Sequence, residues 1–526
     1  MIKSQCLNCF RKLRKPPLEG LFSKNQKNNR RANEYLPFFI LVLAILMLVL
    51  AGCEPDPEDN KGGLKKFNDT VLSLRQNDGF LSKEDVDSLK NMVLEAKGGR
   101  LVKWKDSDGN VNTDSLADYV CKILKEKWHI AQDKRSIIDP ISEHFNVSFF
   151  IKNTANMDGY IKPKSQFQDA LFGLLADLKS GFQSDISLNY VNTVVSYKVP
   201  YDNSDAPGNY IYKIDRNKFV EFGKENKGNR GSTDFDLIFG HVLETVNKNN
   251  IAILAADFIF SPGKGVDVND YLEKQRNSIR VKFSSKIEEL GLAVLALKME
   301  SDFDGSYWNR KSENAGNLRA KRPYYIWFIG SPLHLTKIAK NGKLFVTLKS
   351  NGFTGDRIIF ESSSTEKQPE FKIGASANYS FENKDHKIKA KRLKKGEKYN
   401  FILDVNFNDA FRDSAFFADV DNYDVKDYEL TVNAKQPKNF KHRLSLSSEK
   451  ITLGALKIFV TEKIPKWAKE VNSTDDANIR KDVSEQAKTY GFKHIVDGVY
   501  SAFYPTISTD EPHVLQTINL NIQLED

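Results

Sequence analysis

Between residues 146 and 342, short apolar runs of strand type alternate with stretches of helical period, and this alternation restricts the available folds more than any other feature of the chain. Val147–Lys152 is followed by a helix around Phe167–Leu178. Ile186–Tyr197 reads as strand and leads into a long loop ending at Gly231, and Phe235–Val246 reads as helix. Ile251–Phe260 is a strand, Tyr271–Leu290 a helix, Leu292–Lys298 and Tyr324–Gly330 are strands, and Leu333–Ala339 opens a last helix. Strands separated by helices of this length predict crossover connections, hence an α/β domain built on a doubly wound, mostly parallel sheet with both faces covered.

The flanking regions differ in pattern. Residues 64–145 read as a helical N-terminal region: Ser82, Lys83, Glu84 and Asp85 have capping-box spacing, Val86, Leu89, Val93 and Leu94 share a helical face, and a further helix spans Ser115–Trp128. Asp106–Asn112 resembles a calcium loop, but its Gly109 comes too early and Ala117 stands where a bidentate Glu is needed, so a turn is expected. From residue 343 to 526, short strands separated by turn residues predict one or two β-sandwich-like modules: Leu344–Leu348, Arg357–Phe360, Lys387–Lys391, Tyr399–Val405, Tyr428–Val432, Leu456–Thr461 and Leu515–Leu524. Helices interrupt them only at Ile464–Val471 and Lys493–Phe503. In the basic stretch Lys387–Lys398, apolar residues recur at strand spacing, as on a solvated sheet face.

The N-terminal residues are basic, from Lys3 to Arg31, and precede an uncharged apolar run, Leu36–Ala51. That run is short for a bilayer-spanning helix, which needs about twenty residues, and it ends in Leu50, Ala51, Gly52 and Cys53. These four positions resemble a bacterial lipobox, which implies a signal peptide over 1–52 and a lipid such as palmitate on Cys53; the competing reading is an uncleaved anchor. The acidic, Pro- and Gly-rich stretch 53–63 reads as a tether. It resembles the surface-export signal of Bacteroidota lipoproteins, which implies an outer-membrane protein of the cell envelope facing the exterior, the alternative being a periplasmic spacer.

Removing residues 1–52, with nine basic and two acidic side chains, lowers the net charge from +9 to +2, which argues against a nucleic-acid partner. Cys6 and Cys9 leave with the signal and Cys53 is acylated, so Cys121 alone remains and no disulfide framework is expected.

In open α/β sheets ligands gather at the carboxyl ends of the strands. Three junctions stand out there: Lys152–Tyr160 after the first strand, Gly231–Asp234 before a helix, and Asp257 at the end of a strand. Their order resembles the metal-ion-dependent adhesion site of von Willebrand factor A domains, in which an Asp, two Ser, a Thr and a late Asp hold Mg²⁺ for a partner's carboxylate. The resemblance covers 146–342 and implies a non-enzymatic protein-binding, adhesion or complex-assembly module. Lys152, Thr154 and Asn156 stand where that motif has Asp, Ser and Ser, while Thr233 and Asp257 fit. Magnesium requires oxygen ligands in near-octahedral geometry. An ammonium there points instead to a degenerate site without metal or other cofactor, held by a Lys152–Asp257 ion pair; replacement of the missing ligand by Asp158 or Asn153 is the competing reading.

Tyr307, Trp308 and Arg310, read as part of a loop on the same edge, suit an interface but also suit packing onto their own domain. None of the common metalloprotease, serine-hydrolase or nucleotide-binding motifs occurs. Ser261–Gly265 is glycine-rich but reads as a turn. The alternative to a binding module is an envelope hydrolase on another α/β fold, using Asp257 or Asp158.

Overall fold

A computed structural model describes residues 59–78, 81–128, 134–199, 207–226, 228–262, 265–362, 369–375, 378–382, 386–394, 396–407, 411–433 and 440–525. The basic segment, the apolar run, Cys6, Cys9, Cys53 and most of the tether lie outside these residues. The tether's last residues belong instead to a helix, α1 (Asp59–Asp78).

With α2 (Lys83–Glu95) and α3 (Thr113–Trp128), α1 closes around its own core of Phe67, Val71, Val86, Leu89, Val93, Leu116 and Val120. The capping box at Ser82 and Asp85 forms in both directions. Leu94 falls off the buried face and is 46% exposed. The Lys105 ammonium instead binds the carbonyls of Leu94 and Ala96, satisfying acceptors that the end of α2 leaves unpaired. Asp106 accepts from the backbone of Asp108 and Asn110, so 106–112 is a turn.

The central sheet has seven strands in the order β3-β2-β1-β4-β6-β5-β7. These are β1 (Asn146–Lys152), β2 (Ile186–Val191), β3 (Ser196–Lys198), β4 (Asn250–Ala256), β5 (Ala293–Trp308), β6 (Asn314–Gly330) and β7 (Phe353–Glu361). Strands β2, β1 and β4 pair in parallel, while β3, β6, β5 and β7 add by antiparallel pairing. Four of the seven, β1, β2, β4 and β5, therefore point the same way. Strands β1 and β4 are buried along all but their first residue because both sheet faces are covered.

Adjacent residues of β6 show the two covers, since strand side chains alternate. Tyr324 meets Phe167 of α4 (Gln166–Phe182) at 4.9 Å. Tyr325 stacks at 4.2 Å on Phe492 of a C-terminal helix, Phe492–Phe503. The segment 198–231, expected as loop, carries a short helix at Pro207–Lys213 and a second one, α5 (Arg216–Glu225), and is followed by α6 (Phe235–Glu244) and α7 (Val268–Leu290).

Two boundaries shift. Leu344–Leu348 is helical, within α9 (Gly342–Ser350), which follows α8 (Pro332–Lys340). Arg357–Phe360 belongs to β7 and the α/β sheet, because β7 pairs with β5.

Among the described residues, nine further strands form a sandwich around a separate core containing Phe401, Leu403, Leu444, Ile458, Ile518 and Ile522. One sheet holds β8 (Glu370–Ile373), β11 (Tyr399–Asn406), β13 (Glu429–Asn433) and β14 (His442–Ser448). The other holds β9 (Tyr379–Glu382), β10 (Lys387–Ala390), β12 (Tyr423–Val425), β15 (Gly454–Glu462) and β18 (His513–Leu524). In β10 the buried Ile388 and Ala390 alternate with Lys387 and Lys389, as expected for a solvated face.

Between β15 and β18 the chain leaves the sandwich and returns to the α/β domain. There β16 (Asn472–Ser473) pairs with β17 (Thr489–Tyr490), and α10 (Phe492–Phe503) packs beside α7. The seam between the domains is tied by buried Arg412, which bridges Glu361 of β7 and Glu462 of β15. Among the described residues no helix is long and apolar enough to cross a membrane.

Candidate functional site

The carboxyl ends of β1 and β4 lie side by side because their parallel register pairs Ile151 with Ala255. Lys152, the last residue of β1, and Asp257, just past the end of β4, form an ion pair in which neither side chain is exposed. The ammonium also donates to the Ile259 carbonyl at 3.3 Å and sits 5.1 Å from the centre of the Phe235 ring. Burial pushes the Lys152 ammonium below its ordinary range, and the Asp257 charge opposes that shift.

The turn after Asp257 depends on Phe258, a non-glycine residue at φ 55°, a left-handed conformation that costs roughly 1–2 kcal/mol. Its ring stacks on Phe235 at 5.0 Å and on Trp327 at 4.9 Å, contacts that offset the strain.

The other expected site residues serve the backbone. Both polar atoms of the Asn156 side-chain amide bind Trp308, Oδ1 accepting from its N–H at 2.7 Å and Nδ2 donating to its carbonyl at 2.9 Å. Thr233 bridges to Ser261 through its N–H, and its carbonyl accepts from Tyr271. The hydroxyl of Thr154 is buried without a hydrogen-bond partner, as is Asp257 Oδ2. These residues do not fit Mg²⁺: a divalent ion at Asp257 would face the Lys152 ammonium, and the Asn156 side chain is already committed. Asn153 and Asp158 do not replace the missing ligand, because both bind Arg230.

The edge beside this pair is roofed by 473–491. The Phe260 N–H donates to Tyr490, Arg322 donates to the carbonyls of Gln486 at 2.8 Å and Lys488 at 3.0 Å, and Tyr325 shares a hydrogen bond with Thr489. The expected interface residues are largely consumed here. Ser301–Trp308 is not a loop but the second half of β5, with its register broken between Tyr307 and Trp308. Tyr307 is buried and donates to Asp476 at 2.8 Å. Arg310 donates to Asp476 and Thr474 and pairs with Asp475. Sequence reasoning missed Arg322 and Asp476, whose partners are more than 160 residues away in the chain.

What remains open is a cleft of about 490 Å³ beside the roof, lined by the 155–158 loop, α5, the 228–231 segment and the β5–β6 hairpin. Its floor depends on close backbone approach: Asp304 N–H donates to Gly159, and a Cβ at Gly305 would lie 2.8 Å from the Gly159 Cα. Arg230 is fixed by Asn153, by Asp158 and by the Phe219 ring 5.4 Å away. Burial pushes Asp158 up to about 6 despite the opposing Arg230 charge. No protein-family model matches the chain, and no curated protein resembles it closely enough to name a relative.

Asp257 has no access to a solute, so of the two carboxylates that a hydrolase would use, only Asp158 borders the cleft.

Proposed function

We propose that the mature chain is an envelope lipoprotein anchored through lipid on Cys53, and that its von Willebrand A-like frame binds a protein partner without catalysis. The supporting observation is the Lys152–Asp257 pair. It places an internal cation where the resembling family holds a metal, so recognition does not run through a shared ion. The 473–491 roof covers that edge and leaves the cleft around Arg216, Lys224, Arg230 and Trp308 as the recognition face. Such a face, made of segments projecting from a rigid sheet, is where binding functions tend to sit.

The test has two parts. Calorimetry of the mature chain with Mg²⁺ and Mn²⁺ is expected to show no binding, and Lys152→Asp is expected to gain it; binding by the native form overturns the metal-free reading. A photo-crosslinking residue at Trp308, in cells making the protein, is expected to yield one discrete protein adduct that disappears with Arg230→Glu. An adduct pattern unchanged by Arg230→Glu rejects the cleft as the recognition face.

A further inference from the structure

We infer that the cleft beside the roof is an oxyanion site, taking a carboxylate or phosphate group between Arg216 and Lys224, and that its physiological occupant is an acidic side chain of the partner. The inference rests on the reading of this cleft as the recognition face and specifies the chemistry it selects.

Three cations line the cleft, Arg216, Lys224 and Arg230, against two carboxylates, Asp158 and Asp304. The carboxylates are already engaged, Asp158 by Arg230 and Asp304 by Arg319 at 3.2 Å. The cations are not all used. Lys224 is exposed and makes no ion pair among the described residues. Arg216 spends one terminal nitrogen on the Asp304 carbonyl, yet its Nε is buried with no acceptor. A buried donor without a partner costs roughly 1–3 kcal/mol, and the deficit in this cleft is one of acceptors. A ligand oxygen carrying negative charge offers an acceptor to Lys224 and to the other terminal nitrogen of Arg216, and charge-assisted bonds to guanidinium are the stronger kind. Trp308 and Val220 line the same cleft with apolar surface, which suits the carbon stem of an acidic side chain.

The charge balance also sets a direction with pH. The groups acting on Asp158 are Arg230, Arg216 and Lys224, and its carboxyl is pushed up to about 6, chiefly by burial. As pH falls through that value one of the two competing carboxylates is neutralised while all three cations remain charged, so an oxyanion is held more tightly.

The experiment is calorimetry of the full mature chain with three probes, tetraglutamate, tetraglutamine and inorganic phosphate, at pH 5.5 and 7.5. Tetraglutamate is expected to bind, more tightly at pH 5.5, and to lose at least tenfold in affinity with Lys224→Glu and with Arg216→Gln, while tetraglutamine does not bind. Lys224→Glu changes an exposed helical position, so its effect separates binding from folding. Phosphate binding with the same sensitivities but no response to tetraglutamate upholds the oxyanion site and overturns the protein-partner reading. Binding of neither anion, or affinities unchanged by Lys224→Glu, overturns the oxyanion site itself.

Discussion

Lys152 at the end of β1 and Asp257 just beyond the end of β4 neutralise one another where neither side chain is exposed to solvent. Two charges taken out of water in this way contribute little net stability as a pair, but removing one strands the other. Lys152→Met is therefore expected to lower unfolding free energy by roughly 3–5 kcal/mol, and Lys152→Met with Asp257→Leu to recover most of that loss. Urea titrations followed by fluorescence measure both. A double variant no more stable than the single one would mean that the pair is not the source of the cost.

The roof is held by polar contacts that only the native chain path supplies. Asp476→Ala removes the acceptor of the Tyr307 hydroxyl and of the Arg310 N–H, leaving buried donors at a cost of roughly 1–3 kcal/mol. Limited proteolysis is expected to cut Asp476→Ala faster within 474–488, with the sandwich still folded. Equal cleavage rates would show that the roof does not depend on this carboxylate.

His334 couples the N-terminal region to α8 by a 2.7 Å hydrogen bond with the Ser142 carbonyl. Burial pushes its imidazole down to about 4, because the charged form loses its water. The ordinary value is near 6.5, so in the window between the two the unfolded chain binds the proton and the folded chain does not. Stability supplied by neutral His334 is thus complete above about 6.5 and falls as pH drops towards 4, by about 3 kcal/mol in total. His334→Gln is expected to flatten this part of the stability–pH curve, measured by chemical denaturation at stepped pH. An unchanged slope would assign it to other groups.

Cys53 lies outside the described residues, and its acylation is tested directly. Wild-type cells are expected to incorporate labelled palmitate into the protein and to retain it in the membrane fraction, whereas Cys53→Ala abolishes the label. Label persisting in Cys53→Ala would refute the lipobox reading.

The order of strands and helices from Val147 to Ile338 was legible because buried parallel strands need unbroken apolar runs while the helices beside them need a 3.6-residue period. The pairing of Lys152 with Asp257 was expected for a different reason: the resemblance to a metal-ion-dependent adhesion site sets these two positions side by side at the strand ends, with an ammonium where that motif has its first Asp. Helix α5 was not legible, because its polar face obscures the few positions it buries, Phe219 and Gly223.

The sequence by itself determined most of the α/β elements, five of the nine described sandwich strands, the capping of α2 and most of the apolar faces that gather into cores, since these follow from local backbone preference and short-range periodicity. Tertiary structure alone decided that β5 continues through Ser301–Trp308, that β7 joins the α/β sheet, and that 473–491 returns from the sandwich to roof the strand ends. Those outcomes rest on contacts between residues far apart in the chain, such as Tyr307 with Asp476 and Arg322 with the carbonyl of Lys488. Their energies depend on which groups burial leaves in need of a partner, and local sequence carries no record of that.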